Sequence, residues 1–238
     1  MMSHNPEIMT GISTIENLAS LTTGQKEKFE LFKENLLSWN ERMNLTAITD
    51  EEGIWHKHFH DSLTLLPLLP AEPMRNSISS ADPMRSSRPL RMIDVGSGAG
   101  FPGIPIKILR PDIELTLLDS LRKRVFFLQD TVSRLELQNV ECVHSRAEDF
   151  IREENRRGGY DICTARAVAR LDKLCRWCLP FLAPGGLFYA MKGPSPEDEV
   201  NDALPIIRKI GGEVVGIEYM EILPGMVHSV VIVCYTEH

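Results

Sequence analysis

The chain has 238 residues, 43% hydrophobic, 25% charged and 7% aromatic. These ordinary globular values exclude disorder, collagen and coiled coil as the main state and allow one large domain with a helical appendage rather than two full domains. The net charge of −7 argues against a uniformly basic nucleic-acid binder, yet the acidic excess lies at the two ends while 71–192 is net basic and arginine-rich, which suits either a phosphate-facing patch or solvated helix faces.

In chain order, Thr22 and Gln25 stand in capping-box spacing, and Phe29, Phe32, Leu36, Trp39 and Met43 then recur every three or four residues, which predicts an amphipathic helix. A second helix is expected over 51–66, with Asp50 as N-cap. Together these make an N-terminal helical lobe, 1–70. Residues 71–89 are rich in Pro, Ser and Arg, with AEPMRNS nearly repeated as ADPMRSS, and are expected to form a linker whose Arg75, Arg85 and Arg88, with Arg91 just beyond, could meet phosphates. From 90 to 238 short apolar runs alternate with helical stretches, the pattern of an α/β domain with a mostly parallel sheet. Strands are expected at 90–95, 114–118, 140–144, 161–165 and 187–191. Helices are expected at 121–135 and 172–182, the second before the turn Pro184-Gly185-Gly186. A helix at 197–210 and an antiparallel pair at 213–219 and 229–235 would close the sheet.

No run reaches the roughly 18 apolar residues of a membrane span, the start has neither a basic nor an apolar leader, and the five cysteines are odd in number. A cytoplasmic protein with reduced thiols and no membrane partner is expected.

The most informative segment is MIDVGSGAGFPGIPIKI. A buried strand ends at Asp94 and enters a loop with Gly96, Gly98, Gly100 and Gly103, where backbone turns tightly or approaches a ligand at the strand's carboxyl end. Counted from Gly96, the dinucleotide fingerprint GxGxxG fails at Phe101, so the register fits S-adenosylmethionine better than a nicotinamide cofactor, with Gly96, Ser97 and Gly98 as candidate contacts. Asp119 ends the next strand, where a carboxylate can accept hydrogens from ribose hydroxyls in either cofactor. After the third strand, Ala147 and Glu148 can address an adenine edge; after the fourth, Arg166 stands at the cleft.

The segments WNERMNLTAI, KHFHDSL, IDVGSGAGFPGIPIKI, LLDSLRKRVFFL, SRAED, TARAVARL and YAMKG, in order from Trp39 to Gly193, resemble the bacterial 16S ribosomal RNA guanine-N7 methyltransferases, also called glucose-inhibited division protein B. The resemblance implies a class I, Rossmann-like methyltransferase fold with seven strands, S-adenosylmethionine as methyl donor, and methylation of one guanine in 16S ribosomal RNA; the expected partner is that RNA in a small-subunit particle, with naked RNA left open as substrate. It places cofactor contacts on Gly96, Phe101, Ala147, Glu148 and Arg166. Phe101 stands where Leu is common in that family, Lys57 where Arg usually precedes the His, and the linker is longer.

Guanine N7 has a free lone pair, so no general base is expected and no catalytic residue is assigned. Arg166, Lys192, and Arg122 or Lys123 are candidates to touch guanine or phosphate, with Arg166 equally able to hold the cofactor. Asn44 and His58, beside Asp61, serve either RNA placement or structural capping and docking. His56 and His60 share a helical face without a completing ligand, and Cys175 and Cys178 form one CxxC inside an apolar stretch; neither is expected to bind metal. No obligate protein partner is evident. Other readings are a small-molecule methyltransferase and a non-catalytic, cofactor-binding ribosome-associated protein.

Overall fold

The structure is a computed structural model that describes residues 21–71, 88–154 and 156–236. Most of the expected linker, including Arg75 and Arg85, lies outside the described residues.

Helix α1, Thr23–Met43, begins at a capping box in which Gln25 N donates to Thr22 Oγ1 and Thr22 N to Gln25 Oε1, satisfying two amides that no helical turn can reach. It ends at Asn44 in the left-handed conformation, φ 49°. Helix α2, residues 51–63, is capped by Asp50, which accepts from Gly53 N at 2.6 Å. It departs from the expected plain helix over 51–66, because Trp55–His60 widens into a π turn and Leu66–Leu68 tightens into a 3-10 turn around Pro67, where proline has no N–H to continue an α ladder.

Seven strands follow: β1 Arg91–Val95, β2 Glu114–Asp119, β3 Val140–His144, β4 Tyr160–Arg166, β5 Leu182–Lys192, β6 Gly212–Leu223 and β7 Met226–Tyr235. Between them lie α3 Gly103–Leu109, α4 Arg122–Arg134, α5 Ala147–Phe150, α6 Leu171–Cys178 and α7 Glu197–Lys209. The strand order is β3-β2-β1-β4-β5-β7-β6, parallel through β5, with β7 antiparallel between β5 and β6. Sequence order therefore reverses between β1 and β4, and the carboxyl ends of these two strands open a crevice between diverging crossovers. Helix α6 stops four residues before the expected 182 because Pro180 starts a 3-10 turn, and β5 begins earlier than expected, absorbing Pro184-Gly185-Gly186 in a register shift. The tail strands are longer than expected and turn at Pro224-Gly225, with Gly225 at φ 78°.

Strand side chains alternate between two cores, as the period of two requires. Met92, Leu117, Ile162 and Tyr189 face α1 to α4, whereas Ile93, Leu118, Cys163 and Phe188 face α6 and α7. Phe29, Phe32 and Leu36 of α1 are fully buried in the first core. Trp39 Nε1 donates to Asp130 Oδ2 at 2.8 Å and Asn35 Nδ2 to Thr131 Oγ1 at 2.9 Å, which fixes α1 along α4.

The Phe32 ring lies 5.2 Å from Phe101, 5.4 Å from Phe59 and 6.5 Å from Phe127. Phe32→Ala is expected to lower the unfolding free energy by roughly 3–5 kcal/mol, read by urea denaturation; a loss below about 1 kcal/mol would show that α1 is not held by this aromatic cluster.

Candidate functional site

Strand β1 ends in a buried carboxylate. Asp94 Oδ1 accepts from Thr164 Oγ1 of β4 at 2.8 Å and Oδ2 from Gly103 N of α3 at 3.2 Å. Burial raises its pKa to about 6, against the pull of Thr164 and Gly103. The acid is a brace, because its oxygens point into the fold and the residue is only 1% exposed. Ser97, a candidate cofactor contact, is buried too, and its Oγ donates to Asp94 O at 2.8 Å; its hydroxyl thus secures the loop.

Gly96 has φ +73°, and a Cβ there would stand 2.6 Å from Val168 Cγ2. Both conformation and space require glycine. Val168 follows Ala167, itself left-handed at φ 56°, so the chain leaving β4 folds over the chain leaving β1. The cleft is thereby divided in two around Gly96, Ser120 and Val168. One half, about 300 Å³, lies against Gly98, Phe101, Asp119, Arg124 and Arg166; the other, about 180 Å³, lies against Leu118, Ala147, Glu148 and Trp177. Residues expected from four successive strand ends are thus brought together.

Asp119 lines the first half but is only 2% exposed, with Oδ2 accepting from Gly98 N at 2.9 Å and Oδ1 from Leu121 N at 2.8 Å. It shapes the glycine loop, and each oxygen keeps a lone pair.

Arg166 is the most connected cation of the cleft. Its Nη1 donates to Asp61 Oδ2 at 2.6 Å and to Lys57 O at 3.1 Å, Nη2 donates to His58 Nδ1 at 3.2 Å, and the guanidinium lies 5.0 Å from the Phe101 ring centre. His58 stacks ring on ring with Phe101, at 4.6 Å and 16°, and its Nε2 meets Thr46 Oγ1 at 2.8 Å. Since a guanidinium can only donate, Nδ1 must accept and Nε2 carries the proton. Burial, with Arg166 nearby, lowers the His58 pKa to about 4. Burial works against the Asp61 charge, but His228 and Arg166 hold that carboxyl below its ordinary range.

Other expected contacts are placed elsewhere. Lys192 is turned inward, Nζ donating to Ala169 O and Glu199 Oε1, both at 2.8 Å, so its ammonium is committed within the fold rather than presented to a phosphate. Arg122 and Lys123 are exposed on the first turn of α4, Arg122 lying 5.6 Å from the Phe126 ring centre; the arginine that lines the cleft is Arg124, 3.6 Å from Asp119. Asn44 is an exposed helix cap, and the cleft wall is formed by its neighbours Leu45 and Thr46. Arg88 makes a double ion pair with Asp161, at 2.7 and 2.6 Å, and Arg91 lies over Tyr160. Both sit at the amino end of β1, away from the cleft, and Arg88 is committed to Asp161. Cys175 and Cys178 are buried in the second core, and among the described residues no group of three His, Cys, Asp or Glu is placed to hold a metal. Val168, Trp177, Arg124 and His228 carried no signal of their own in the sequence.

A histidine held neutral by burial gives its full stability above the unfolded pKa near 6.5 and loses it as the pH falls toward the folded value. For His58 that window runs from 6.5 to about 4. A loss on the order of 2–3 kcal/mol is expected across it, and His58→Gln should flatten the slope in denaturation measured at both pH values; an equal slope in the variant would assign the acid sensitivity to other groups.

A family model described as rRNA small subunit methyltransferase G, GidB, matches residues 25–217. A protein named ribosomal RNA small subunit methyltransferase G from Clostridium perfringens strain SM101 is 45% identical over 196 residues, covering 82% of this chain and 76% of its own. One of the same name from Staphylococcus carnosus is 44% identical over 212 residues, covering 88% and 81%. A solved structure titled as a SAM dependent methyltransferase from Aquifex aeolicus superposes with a TM-score of 0.52 at 17% identity, covering 78% of this chain and 94% of that one, which is a likeness of fold. With the sheet order and the divided cleft at its reversal point, these matches establish that the chain belongs to the rRNA small subunit methyltransferase G family.

Proposed function

We propose that this protein transfers a methyl group from S-adenosylmethionine to N7 of a guanine in 16S ribosomal RNA, acting on a small-subunit particle. The observation that carries the reading is the divided cleft around Gly96. Its glycine floor admits close backbone approach, and its two halves suit the two ends of an elongated nucleoside. Ala147, Glu148, Leu118 and Trp177 offer an apolar slot with a polar edge for the adenine, and Gly98, Phe101, Asp119 and Arg166 suit the ribose and the charged amino-acid end. When bound, the cofactor supplies a methyl group made electrophilic by a sulfonium.

The chain's own part is to orient and to exclude water. Guanine N7 needs no proton removed, so alignment of donor and acceptor lowers the barrier. The half of the cleft near Arg166 is built accordingly: both His58 nitrogens are engaged and the Asp61 carboxylate is paired, so neither is a free base. Arg166 keeps N–H groups beyond those donated to Asp61, Lys57 and His58, and a guanidinium can read guanine O6 or hold a carboxylate. Arg122, Lys123 and Arg124 at the start of α4 supply cations beside the cleft for RNA phosphate.

Incubation with labelled S-adenosylmethionine and either small-subunit particles or their stripped RNA, followed by mapping of the product, is expected to place label on guanine N7, preferentially in particles. Label on another base atom, or none with cofactor bound, would overturn the reaction. Gly96→Asp is expected to abolish cofactor binding in calorimetry while leaving the circular dichroism spectrum intact, because the new carboxylate enters the space between Gly96 and Val168. Retained binding would place the cofactor elsewhere.

A further inference from the structure

His228 lies far in sequence from every residue discussed for the cleft, on the β7 strand that closes the sheet. Its Nδ1 pairs with Asp61 Oδ1 and its Nε2 lies 3.4 Å from Thr64 Oγ1. Asp61 in turn takes Arg166 on its other oxygen at 2.6 Å. The three side chains come from α2, β4 and β7, and they are 9%, 16% and 13% exposed for Asp61, Arg166 and His228. One line of contacts therefore runs from the tail hairpin through the helical lobe to the guanidinium over Phe101.

We infer that His228 is a positioning residue for methyl transfer, acting through Asp61 to hold Arg166 in its place in the cleft. This role presupposes that Arg166 belongs to the cofactor cleft, as proposed above. Arg166 has a long side chain with several rotamers, and a fixed guanidinium requires a fixed acceptor. Asp61 is that acceptor, but a buried carboxylate stays charged and still only if both oxygens are met. Oδ2 is met by Arg166 itself. Among the described residues, Oδ1 accepts no aligned hydrogen bond, and the side-chain nitrogen that lies against it, in ion-pair contact, is His228 Nδ1. Thr64 hydroxyl is directed to Asp61 O at 2.7 Å, and His60, the other imidazole close to Asp61, makes no hydrogen bond with it. Without His228 that buried oxygen loses the imidazole nitrogen packed against it, and the carboxylate loses a contact that sets its rotamer. The orientation of Arg166 then loosens, although Arg166 and Asp61 are both still present.

The test is cofactor affinity, measured by calorimetry on the full chain without RNA. His228→Ala is expected to weaken S-adenosylmethionine binding about tenfold, the scale of removing one partner from a buried charge. His228→Asn, whose side-chain amide can donate from near the Nδ1 position, should recover most of that loss. If His228 acts only through Asp61, adding His228→Ala to Asp61→Asn should weaken binding no further than Asp61→Asn alone. Arg166→Ala is the control that separates this inference from the site reading. Weakened binding in Arg166→Ala with unchanged affinity in His228→Ala would overturn the inference alone, and unchanged affinity in Arg166→Ala would overturn both. Equal loss in His228→Ala and His228→Asn, or additive losses with Asp61→Asn, would mark His228 as packing rather than positioning.

Discussion

The buried carboxylate of Asp94 is the tie on which the cleft depends. It joins three pieces that must meet for a ligand site to exist at the sheet's reversal point: the end of β1, Thr164 on β4, and the start of α3 at Gly103. An acid in this position is costly to bury, and its raised pKa records that cost. The cost is offset because Thr164 Oγ1 and Gly103 N find an acceptor that they would otherwise lack. Gly103 must be a glycine for the same reason, since a Cβ there would come within 3.0 Å of Asp94 Oδ2 and 2.6 Å of Leu117 Cδ2. The loop from Gly96 to Phe101 is therefore set from beneath, before any ligand arrives.

The helical lobe closes the same site from the side. Its aromatic residues share one core with Phe101 and Phe127, so burial of apolar surface supplies the attraction. Direction comes from the polar contacts above that core, where His58 stacks on Phe101 and Asp61 takes Arg166. The hydrophobic effect has no preferred angle, whereas a guanidinium on a carboxylate has one. This division explains why a lobe of two helices belongs to the cleft: it carries Asp61, the acceptor that the cleft's arginine meets.

Much of this was legible along the chain. The capping box at Thr22, the apolar spacing of Phe29, Phe32 and Leu36, and the glycine loop after Asp94 all depend on neighbours within a few residues, and each formed as expected. The spacing over 51–66 predicts a plain helix because its period is nearly that of an α-helix; the π turn at Trp55–His60 follows from how the helix packs, which no local spacing encodes. Lys192 stands in a segment typical of the family, but its partner Glu199 and its inward turn are set by where α7 lies. Arg124 could not be told from Arg122 and Lys123 by composition, because the three differ only in the face of α4 they occupy.

The sequence by itself determined the parallel sheet, the glycine floor at the end of its first strand and the family to which the chain belongs, since these rest on local pattern, backbone conformation and ordered motifs. Only the tertiary structure decided which charges face the cleft and which are spent within the fold. Ion pairs such as Arg166 with Asp61, Asp61 with His228 and Arg88 with Asp161 join residues far apart along the chain, and a charged side chain's role is fixed by the partner it reaches in space, which depends on how the lobe, the sheet and the tail hairpin pack together.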